Sequence, residues 1–222
     1  MKKAISFLRS LRRHNDREWF NAHKDQYLEV KERVERLTER LIAGIAQWDP
    51  DASRLRPADC LYRIYRDTRF SPDKTPYKTH IGIYINPPYG KKNLRCGYYL
   101  HLEPDNIFVA GGAWCPDSKI IKAIRQDIFD NVEEYLEILH SKPYSDYFGT
   151  PGFDLLKTAP KGFPKEWEHI DMLRPRDFSV LCKIEDEIIG TPEFESEVLK
   201  RMEALKPLND FFNYTIDEAG NS

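Results

Sequence analysis

The stretch RIYRDTRFSPDKTPYKTHIGIYIN, residues 63–86, contains the change of hydrophobic period that decides the fold. Its first part combines cations with prolines and shows no regular apolar period. In its last part isoleucine recurs at every second position, at Ile81, Ile83 and Ile85. A period of two is typical of a strand with one buried face. The stretch therefore predicts a β-strand that begins directly after a basic loop.

The same alternation recurs further along the chain. Its apolar positions are Tyr98, Leu100 and Leu102, then Ile107 and Val109, and later Phe178, Val180, Cys182 and Ile184. Turn residues separate the first two series. The region 60–112 is therefore predicted to form three or four antiparallel strands, and residues 178–184 a further strand.

Three long helices are predicted around these strands. Apolar residues at steps of three, four or seven between Phe20 and Trp48 predict a long amphipathic helix, which Asn15 or Asp16 caps after a short first helix. A capped segment over residues 117–140 predicts the second helix, and Thr191-Pro192-Glu193 begins the third. Residues 144–176 contain many Gly and Pro residues and are predicted to be irregular.

This order of elements favours an α+β fold, with a largely antiparallel sheet of about four to six strands packed by three long helices. A strictly alternating parallel fold is the alternative. We expect a single compact domain over residues 1–222, because no linker divides the chain. Its parts are a helical N-terminal part (1–50), the sheet (60–112), a helix (117–140), an irregular basic loop (144–176), and a strand with C-terminal helices (178–213).

Composition restricts the class of protein. A chain of 222 residues buries roughly 70% of its unfolded surface, so its core requires no cofactor, metal or disulfide. The four cysteines lack the close spacing of metal or redox motifs, which predicts reduced thiols. The N-terminus lacks the continuous apolar segment of a secretory signal, and no apolar run reaches the ~18 residues of a membrane span. We expect a cytoplasmic protein that contacts no membrane.

Charge is unevenly distributed along the chain. Residues 54–95 contain ten Lys or Arg and three acidic residues, whereas residues 185–222 contain ten acidic residues and three basic ones. The net charge of −2 for the whole chain therefore conceals a basic segment and an acidic segment.

The first candidate binding site is the basic segment at residues 63–78, which we call the basic loop. Its candidate residues are Arg63, Arg66, Arg69, Lys74, Tyr77 and Lys78. Residues 71–74 have the residue order of a type I turn, and Pro76 restrains Thr75 to extended geometry. Such restraints lower the entropic cost of presenting cations to a carboxylate, sulfate or phosphate. The alternative is that Asp67 and Asp73 pair with neighbouring cations and only brace the loop.

Two further segments are candidate parts of the same site. Gly111 and Gly112 lie between a strand and a helix, where they permit close approach of the backbone and the helix N-terminus offers N–H groups to an anion. The alternative is tight packing of strand against helix. Lys157, Lys161 and Arg174 lie on the long irregular segment, which either binds a ligand or covers a sheet edge.

A polar patch is predicted on one face of the sheet. His80 and His101 alternate with the apolar residues of their strands and share a face with Tyr99. The two histidines with Glu103 are candidates for metal binding or for acid–base chemistry, so the histidines are the catalytic candidates if the protein is an enzyme. The spacing fixes no ligand set, and we predict no metal site.

Several strings in the chain resemble one known family. They are REWFNAHKDQY (17–27), RIYRDTRFSPDKTPYKTHIG (63–82), AGGAWCP with IRQDI, and LKTAPKGFP with LRPRDF. They are similar to a bacterial family of conserved hypothetical proteins that is catalogued as a domain of unknown function, number two-four-six-one. The resemblance spans most of the chain and implies a single cytosolic domain without an established activity. It supplies no catalytic residue.

Three functions are compatible with these features. The first is a pocket for a small anionic ligand that carries a phosphate, with or without catalysis. The second is a nucleic-acid-binding module, because cations alternate with Tyr62, Tyr65, Phe70 and other aromatics, although the pI of about 6.3 is low for that class. The third is a partner-binding or structural protein without catalysis. The sequence leaves the oligomeric state open.

Overall fold

The computed structural model describes residues 1–220, apart from the side chain of Lys92. It confirms the α+β class. One four-stranded antiparallel sheet has its strands in sequence order. The strands are β1 (Ile81–Ile85), β2 (Tyr98–Leu102), β3 (Ile107–Ala113) and β4 (Phe178–Ile184).

The helices follow the predicted pattern with additional breaks. They are α1 (Lys2–Arg13), α2 (Arg17–Ala22), α3 (Lys24–Ile45), α4 (Pro57–Cys60), α5 (Ser118–Asp130), α6 (Val132–His140), α7 (Tyr144–Tyr147), α8 (Glu193–Ala204) and α9 (Lys206–Gly220). Within residues 1–220, no helix combines the length and the apolar character that a membrane crossing requires.

The chain divides into two compact units. The first contains Met1–Lys91, Tyr99–Val109 and Lys183–Leu199. The second contains Lys92–Tyr98, Ala110–Cys182 and the chain from Lys200 onward. The basic loop belongs to the first unit, and most of the irregular segment after α6 belongs to the second.

The predicted long N-terminal helix is divided at His23. Asp16 accepts a hydrogen bond from the N–H of Trp19 and caps α2. The chain then restarts as α3, which runs for 22 residues and buries a stripe that includes Val34 and Leu41. The ring of His23, the residue at the break, forms a hydrogen bond with the carbonyl of Trp19.

Two other helix boundaries are set by local residues. Asn131 separates α5 from α6, which were predicted as one helix, and its amide donates to the carboxylate of Asp127. Pro207 lies in the first turn of α9, directly after the break that ends α8. A proline costs little there because the first turn has no intrahelical partner for its N–H.

Helix α9 supplies polar partners for backbone groups within the second unit. Asn209 accepts from the N–H of Gly112 at 2.9 Å and donates to the carbonyl of Gly97 at 3.1 Å. Asn213 accepts from the N–H of Cys96 at 2.6 Å and donates to its carbonyl at 3.1 Å. Both amides are buried, so each satisfies two backbone groups that would otherwise be desolvated without a partner.

Gly112 is required by its surroundings. Its φ is +83°, and a Cβ there would lie 2.2 Å from the carbonyl oxygen of Phe178. Both the backbone conformation and the close strand approach exclude a side chain.

We expect Gly112→Ala to lower the free energy of unfolding by more than about 2 kcal/mol, because it adds backbone strain and a steric clash. Urea denaturation measures the change. Gly149→Ala is the matched control, because a Cβ at Gly149 meets nothing within 4 Å. Equal stabilities of the two variants would contradict the packing role of Gly112.

Candidate functional site

The basic loop forms the tip of an irregular hairpin. Its two arms are joined by antiparallel bridges between Leu61 and Ile83 and between Tyr65 and Tyr77. The second arm therefore contains two more residues between the bridges than the first arm does. Such irregular pairing changes the direction in which side chains point. The additional residues lie between Lys78 and the start of β1.

Tyr77 anchors the hairpin to the N-terminal helices of the first unit. The side chain of Asn15 accepts from the N–H of Tyr77 at 3.1 Å and donates to its carbonyl at 2.9 Å. The Tyr77 ring stacks on Phe20 with the ring centroids 4.0 Å apart. Tyr77 is buried, so this predicted binding residue serves the packing of the hairpin.

Arg66 and Arg69 are engaged by carboxylates inside the loop. Arg66 donates to the carboxylate of Asp73 and to the hydroxyl of Thr75. Arg69 makes a two-pronged contact with Asp67, at 2.6 and 3.0 Å. Hydrogen bonds from Arg69 hold the pKa of Asp67 below its usual value. These contacts support the alternative in which Asp67 and Asp73 pair with neighbouring cations and brace the loop. An anion that bound Arg66 or Arg69 would have to compete with these two carboxylates.

The turn at the loop tip lies three residues earlier than predicted. The N–H of Ser71 donates to the carbonyl of Thr68 at 3.4 Å, and Lys74 Nζ donates to the same carbonyl at 2.9 Å. The carboxylate of Asp73 accepts from the N–H of Thr75 at 2.9 Å. These side-chain contacts fix the loop without a hydrogen-bonded turn at residues 71–74.

An open cleft of about 520 Å³ lies beside the loop. It is lined by Asn15, Asp16, Arg17, Thr68, Lys74, Thr75 and Pro76. Arg17 and Lys74 make it basic, and the carboxylate of Asp16 is occupied as the cap of α2. The cleft is therefore a second candidate site for an anion within the first unit.

Lys78 and Arg63 differ from Arg66 and Arg69. Within the described part of the chain, no carboxylate forms an ion pair or hydrogen bond with either side chain, although the charge of Arg63 helps to lower the pKa of Asp67. The ammonium of Lys78 lies 5.3 Å from the centroid of the Tyr62 ring. Partial burial and the neighbouring Arg63 lower the pKa of Lys78. The pair is thus a concentration of positive charge, and the Asp67 carboxylate that attracts Arg63 is hydrogen-bonded by Arg69 instead.

Strand β2 carries a hydrogen-bonded chain of polar side chains. Tyr99 Oη lies 2.9 Å from His101 Nδ1, and His101 Nε2 lies 3.3 Å from Glu103 Oε2. Glu103 also accepts from Thr79 Oγ1 at 2.9 Å and from Asn106 Nδ2 at 3.3 Å. Strand alternation predicted that Tyr99, His101 and Glu103 share one face of the sheet. In the structure hydrogen bonds link the three side chains in series.

The two candidate catalytic histidines stack on each other. The rings of His80 and His101 are 4.6 Å apart, and Phe108 covers His101 with its ring 4.5 Å away. Burial lowers the pKa of both histidines, that of His80 to about 4. Both rings are therefore neutral at pH 7, and burial opposes their protonation.

Gly82 joins the cation pair to this polar chain. A Cβ at Gly82 would lie 2.9 Å from Tyr99 Oη and 3.2 Å from Tyr62 Cδ2. The two tyrosines are thus separated by no more than the sum of these distances, and Lys78 lies over the same Tyr62 ring. We call this surface the sheet-face site. It consists of Tyr62, Arg63, Lys78, His80, Gly82, Tyr99, His101 and Glu103.

The predicted glycine pair lies within β3, in the second unit. A Cβ at Gly111 would lie 2.8 Å from Leu205 Cδ1, and Gly112 approaches the carbonyl of Phe178. At the start of α5, Asp117 accepts from the N–H groups of the first turn. Packing accounts for both glycines, and the helix N-terminus already has an acceptor.

The predicted cations of the irregular segment also lie in the second unit. Lys157 and Lys161 are exposed. Arg174 donates to the carbonyl of Leu156 at 2.7 Å and to Asp171 at 2.7 Å. Arg174 therefore braces this segment through its own backbone.

Metal binding has no visible donor set in the described residues. No group of three or more His, Cys, Asp or Glu side chains there is arranged to hold a metal ion. The sheet-face site instead offers acid–base groups and cations.

Gly82 and the hydrogen-bond partners of Glu103 belong to the site but were not predicted from the sequence. Glycine in a strand interior is a usable signal, because it often marks a site that another group approaches closely. Thr79 and Asn106 reach Glu103 from outside the strand alternation, so no sequence period marks them.

The chain belongs to a family described as conserved hypothetical protein, DUF2461, whose model matches residues 3–211. The resemblance indicated by the sequence motifs is thereby confirmed. No curated protein and no solved structure matches the chain. Function must therefore be inferred from the site itself.

The lowered pKa of His80 predicts a pH-dependent stability. Between pH 6.5 and about 4 the unfolded chain binds a proton at this position that the folded chain binds less readily, so stability falls as the pH is lowered. We expect His80→Gln to reduce this slope in urea denaturation at several pH values. His140→Gln, which changes an exposed histidine, is the control. An unchanged slope in His80→Gln would contradict the assignment.

Proposed function

We propose that this protein binds a small anionic ligand, one that carries a phosphate group, at Arg63 and Lys78 of the sheet-face site. The observation that carries the proposal is the partly buried Lys78 ammonium beside a second cation, Arg63, with no carboxylate of the described residues hydrogen-bonded to either group. Two neighbouring cations raise each other's energy, and a bound anion relieves this cost.

The chemistry of the two cations suits a phosphate. The planar guanidinium of Arg63 offers several donors in a fixed fork, and Lys78 adds a compact charge. Tyr62 supplies an apolar ring under Lys78, which reduces competition from water. The remaining predicted cations of the loop, Arg66 and Arg69, support the site indirectly, because their pairing with Asp73 and Asp67 restrains the hairpin.

The ligand proposal predicts a saturable thermal stabilisation by one or more phosphate-bearing compounds, since binding to the folded state raises its stability. The panel contains phosphate, sulfate, nucleotides and sugar phosphates. We expect Arg63→Gln and Lys78→Gln each to weaken binding by roughly tenfold or more, because each removes a charge-assisted contact. Calorimetry gives the dissociation constants.

Arg13→Gln is the matched control, because Arg13 is an exposed arginine of α1 outside the sheet-face site. We expect it to bind the ligand normally. Loss of binding in Arg17→Gln or Lys74→Gln, with Lys78→Gln unaffected, would move the site to the open cleft and overturn the proposal. The absence of any stabilisation would favour the partner-binding alternative.

A nucleic-acid-binding role is the second candidate, and exposed aromatics beside cations favour it. Phe70 is 94% exposed and Tyr65 is 51% exposed. The guanidinium of Arg69 lies 5.8 Å from the Phe70 ring. Bases stack on such rings while cations contact the phosphates.

The nucleic-acid role predicts that Phe70→Ala weakens binding of a short single-stranded oligonucleotide by about five- to a hundredfold, the loss that one stacked base explains. Binding should also weaken as salt is raised. Fluorescence anisotropy measures both effects. An affinity that salt leaves unchanged would exclude this role.

The cytoplasm is the compartment we propose for the protein. Cys60 and Cys96 are buried free thiols, and Cys115 is an exposed one. Free thiols suit a reducing compartment. A bacterial origin is likewise part of the proposal and follows from the family resemblance alone.

A further inference from the structure

The chain formed by Tyr99, His101 and Glu103 has the arrangement of an activated nucleophile. A nucleophile needs a base within hydrogen-bond reach, and the base needs a third group that orients it. Here the hydroxyl of Tyr99 contacts one nitrogen of the His101 ring, and Glu103 contacts the other. The order of roles matches that of a serine, a histidine and an aspartate in hydrolases.

The hydrogen bonds select the tautomer that this role requires. Glu103 accepts from Thr79 and Asn106. Although burial opposes its ionisation, these bonds and the one from His101 hold the pKa of Glu103 below its usual value. An ionised Glu103 draws the ring proton of His101 to Nε2. Nδ1 is then left with a lone pair that accepts from the Tyr99 hydroxyl.

The protonation states determine how the proton must move. Burial raises the pKa of Tyr99 to about 12 and lowers the pKa of His101, so both groups are neutral at pH 7. The proton therefore passes to His101 only as the Tyr99 oxygen bonds to the electrophilic centre. The groups that face His101 are His80, which is also neutral and stacks on one side, Phe108 on the other side, and Glu103 at its edge.

Gly82 fixes the place of the Tyr99 hydroxyl. A Cβ there would lie 2.9 Å from Tyr99 Oη, so only glycine lets the hydroxyl pack against this position of the strand. The Tyr62 ring borders the same position, and Lys78 lies over that ring. Tyr99 and Lys78 are thus both neighbours of Tyr62, and a ligand that reaches from one to the other would contact both.

We propose that Tyr99 is a catalytic nucleophile that attacks the electrophilic phosphorus or carbonyl centre of an anionic ester, with His101 as its base and Glu103 as the positioning residue. The identity of the substrate rests on the proposed anion site, whereas the activation of Tyr99 does not.

The proposed reaction needs no reagent other than the ester and water. The Tyr99 oxygen bonds to the electrophilic centre while its proton passes to His101 Nδ1. The bond to the leaving oxygen breaks, and that oxygen keeps the electron pair and takes the proton from His101. Water then repeats the sequence: its oxygen bonds to the same centre, its proton passes to His101, and the Tyr99 oxygen leaves and is reprotonated.

Sulfonyl fluorides test the nucleophile without knowledge of the natural substrate. The probes are neutral benzenesulfonyl fluoride and anionic 4-(fluorosulfonyl)benzoate. In both, the Tyr99 oxygen would bond to sulfur, fluoride would leave, and His101 would take the proton. Peptide mass spectrometry measures the labelling rate of each tyrosine. Exposed Tyr89 and Tyr214 serve as internal references in the same folded molecule.

We expect Tyr99 to be labelled first by the neutral probe, and His101→Gln to slow its labelling by about a hundredfold, the contribution of a general base. Gly82→Ala should slow it as well, since the methyl group would displace the hydroxyl. Labelling of Tyr99 no faster than that of Tyr214 would overturn the proposal. So would an unchanged rate in His101→Gln.

Glu103→Gln tests the positioning role through a pH profile. With the carboxylate, the Tyr99 labelling rate should rise with pH as His101 loses its proton and then level off. In Glu103→Gln we expect the rise at lower pH, because an imidazolium without its carboxylate has a lower pKa. An unmoved profile with a uniformly lower rate would indicate a merely structural role and contradict the assignment.

The two proposals fail differently. If Lys78 binds anions, the benzoate probe should label Tyr99 faster than the neutral probe does, and Lys78→Gln should remove this advantage. Equal rates with both probes, with Tyr99 still preferred, would overturn the anion site and leave the nucleophile supported. Tyr99→Phe confirms the labelled position.

Discussion

Burial of one face of the sheet is the constraint on which the site depends. Leu100, Leu102 and Val109 are fully buried, and the period of two then directs their neighbours to the opposite face. Tyr99 and His101 have no other direction available to them. A polar chain on this face is thus a consequence of the same alternation that forms the core, and a shift of register by one residue would destroy both.

The hairpin before β1 brings charge to that face. Two hydrogen bonds from Asn15 to the backbone of Tyr77 fix one arm, and Lys78, the next residue of that arm, lies over Tyr62. The internal pairing of Arg66 with Asp73 stiffens the tip. The loop therefore contains arginines that carboxylates hold in place, Arg66 and Arg69, and a cation that lies over an aromatic ring, Lys78. These cations look alike in the sequence.

The elements that sequence patterns predicted are those governed by one local rule. Alternation identified β1 to β4, and caps identified the start of α5. The breaks at His23 and Asn131 were not predicted, because each depends on a side chain that bonds to a nearby group. Asn209 and Asn213 were also inaccessible to sequence reasoning, since their partners lie about a hundred residues away in the chain and no period encodes such a contact.

The same distinction holds for the site. Strand parity was sufficient to group His80, His101 and Tyr99, because the side chains of a strand have only two directions. It could not rank the loop cations, since whether a cation is paired depends on distances of a few ångströms. Arg63 and Arg69 are both exposed arginines in one loop, yet Asp67 is hydrogen-bonded by Arg69 and interacts with Arg63 only through space. The positions of the carboxylates, which composition does not show, therefore distinguish the two arginines.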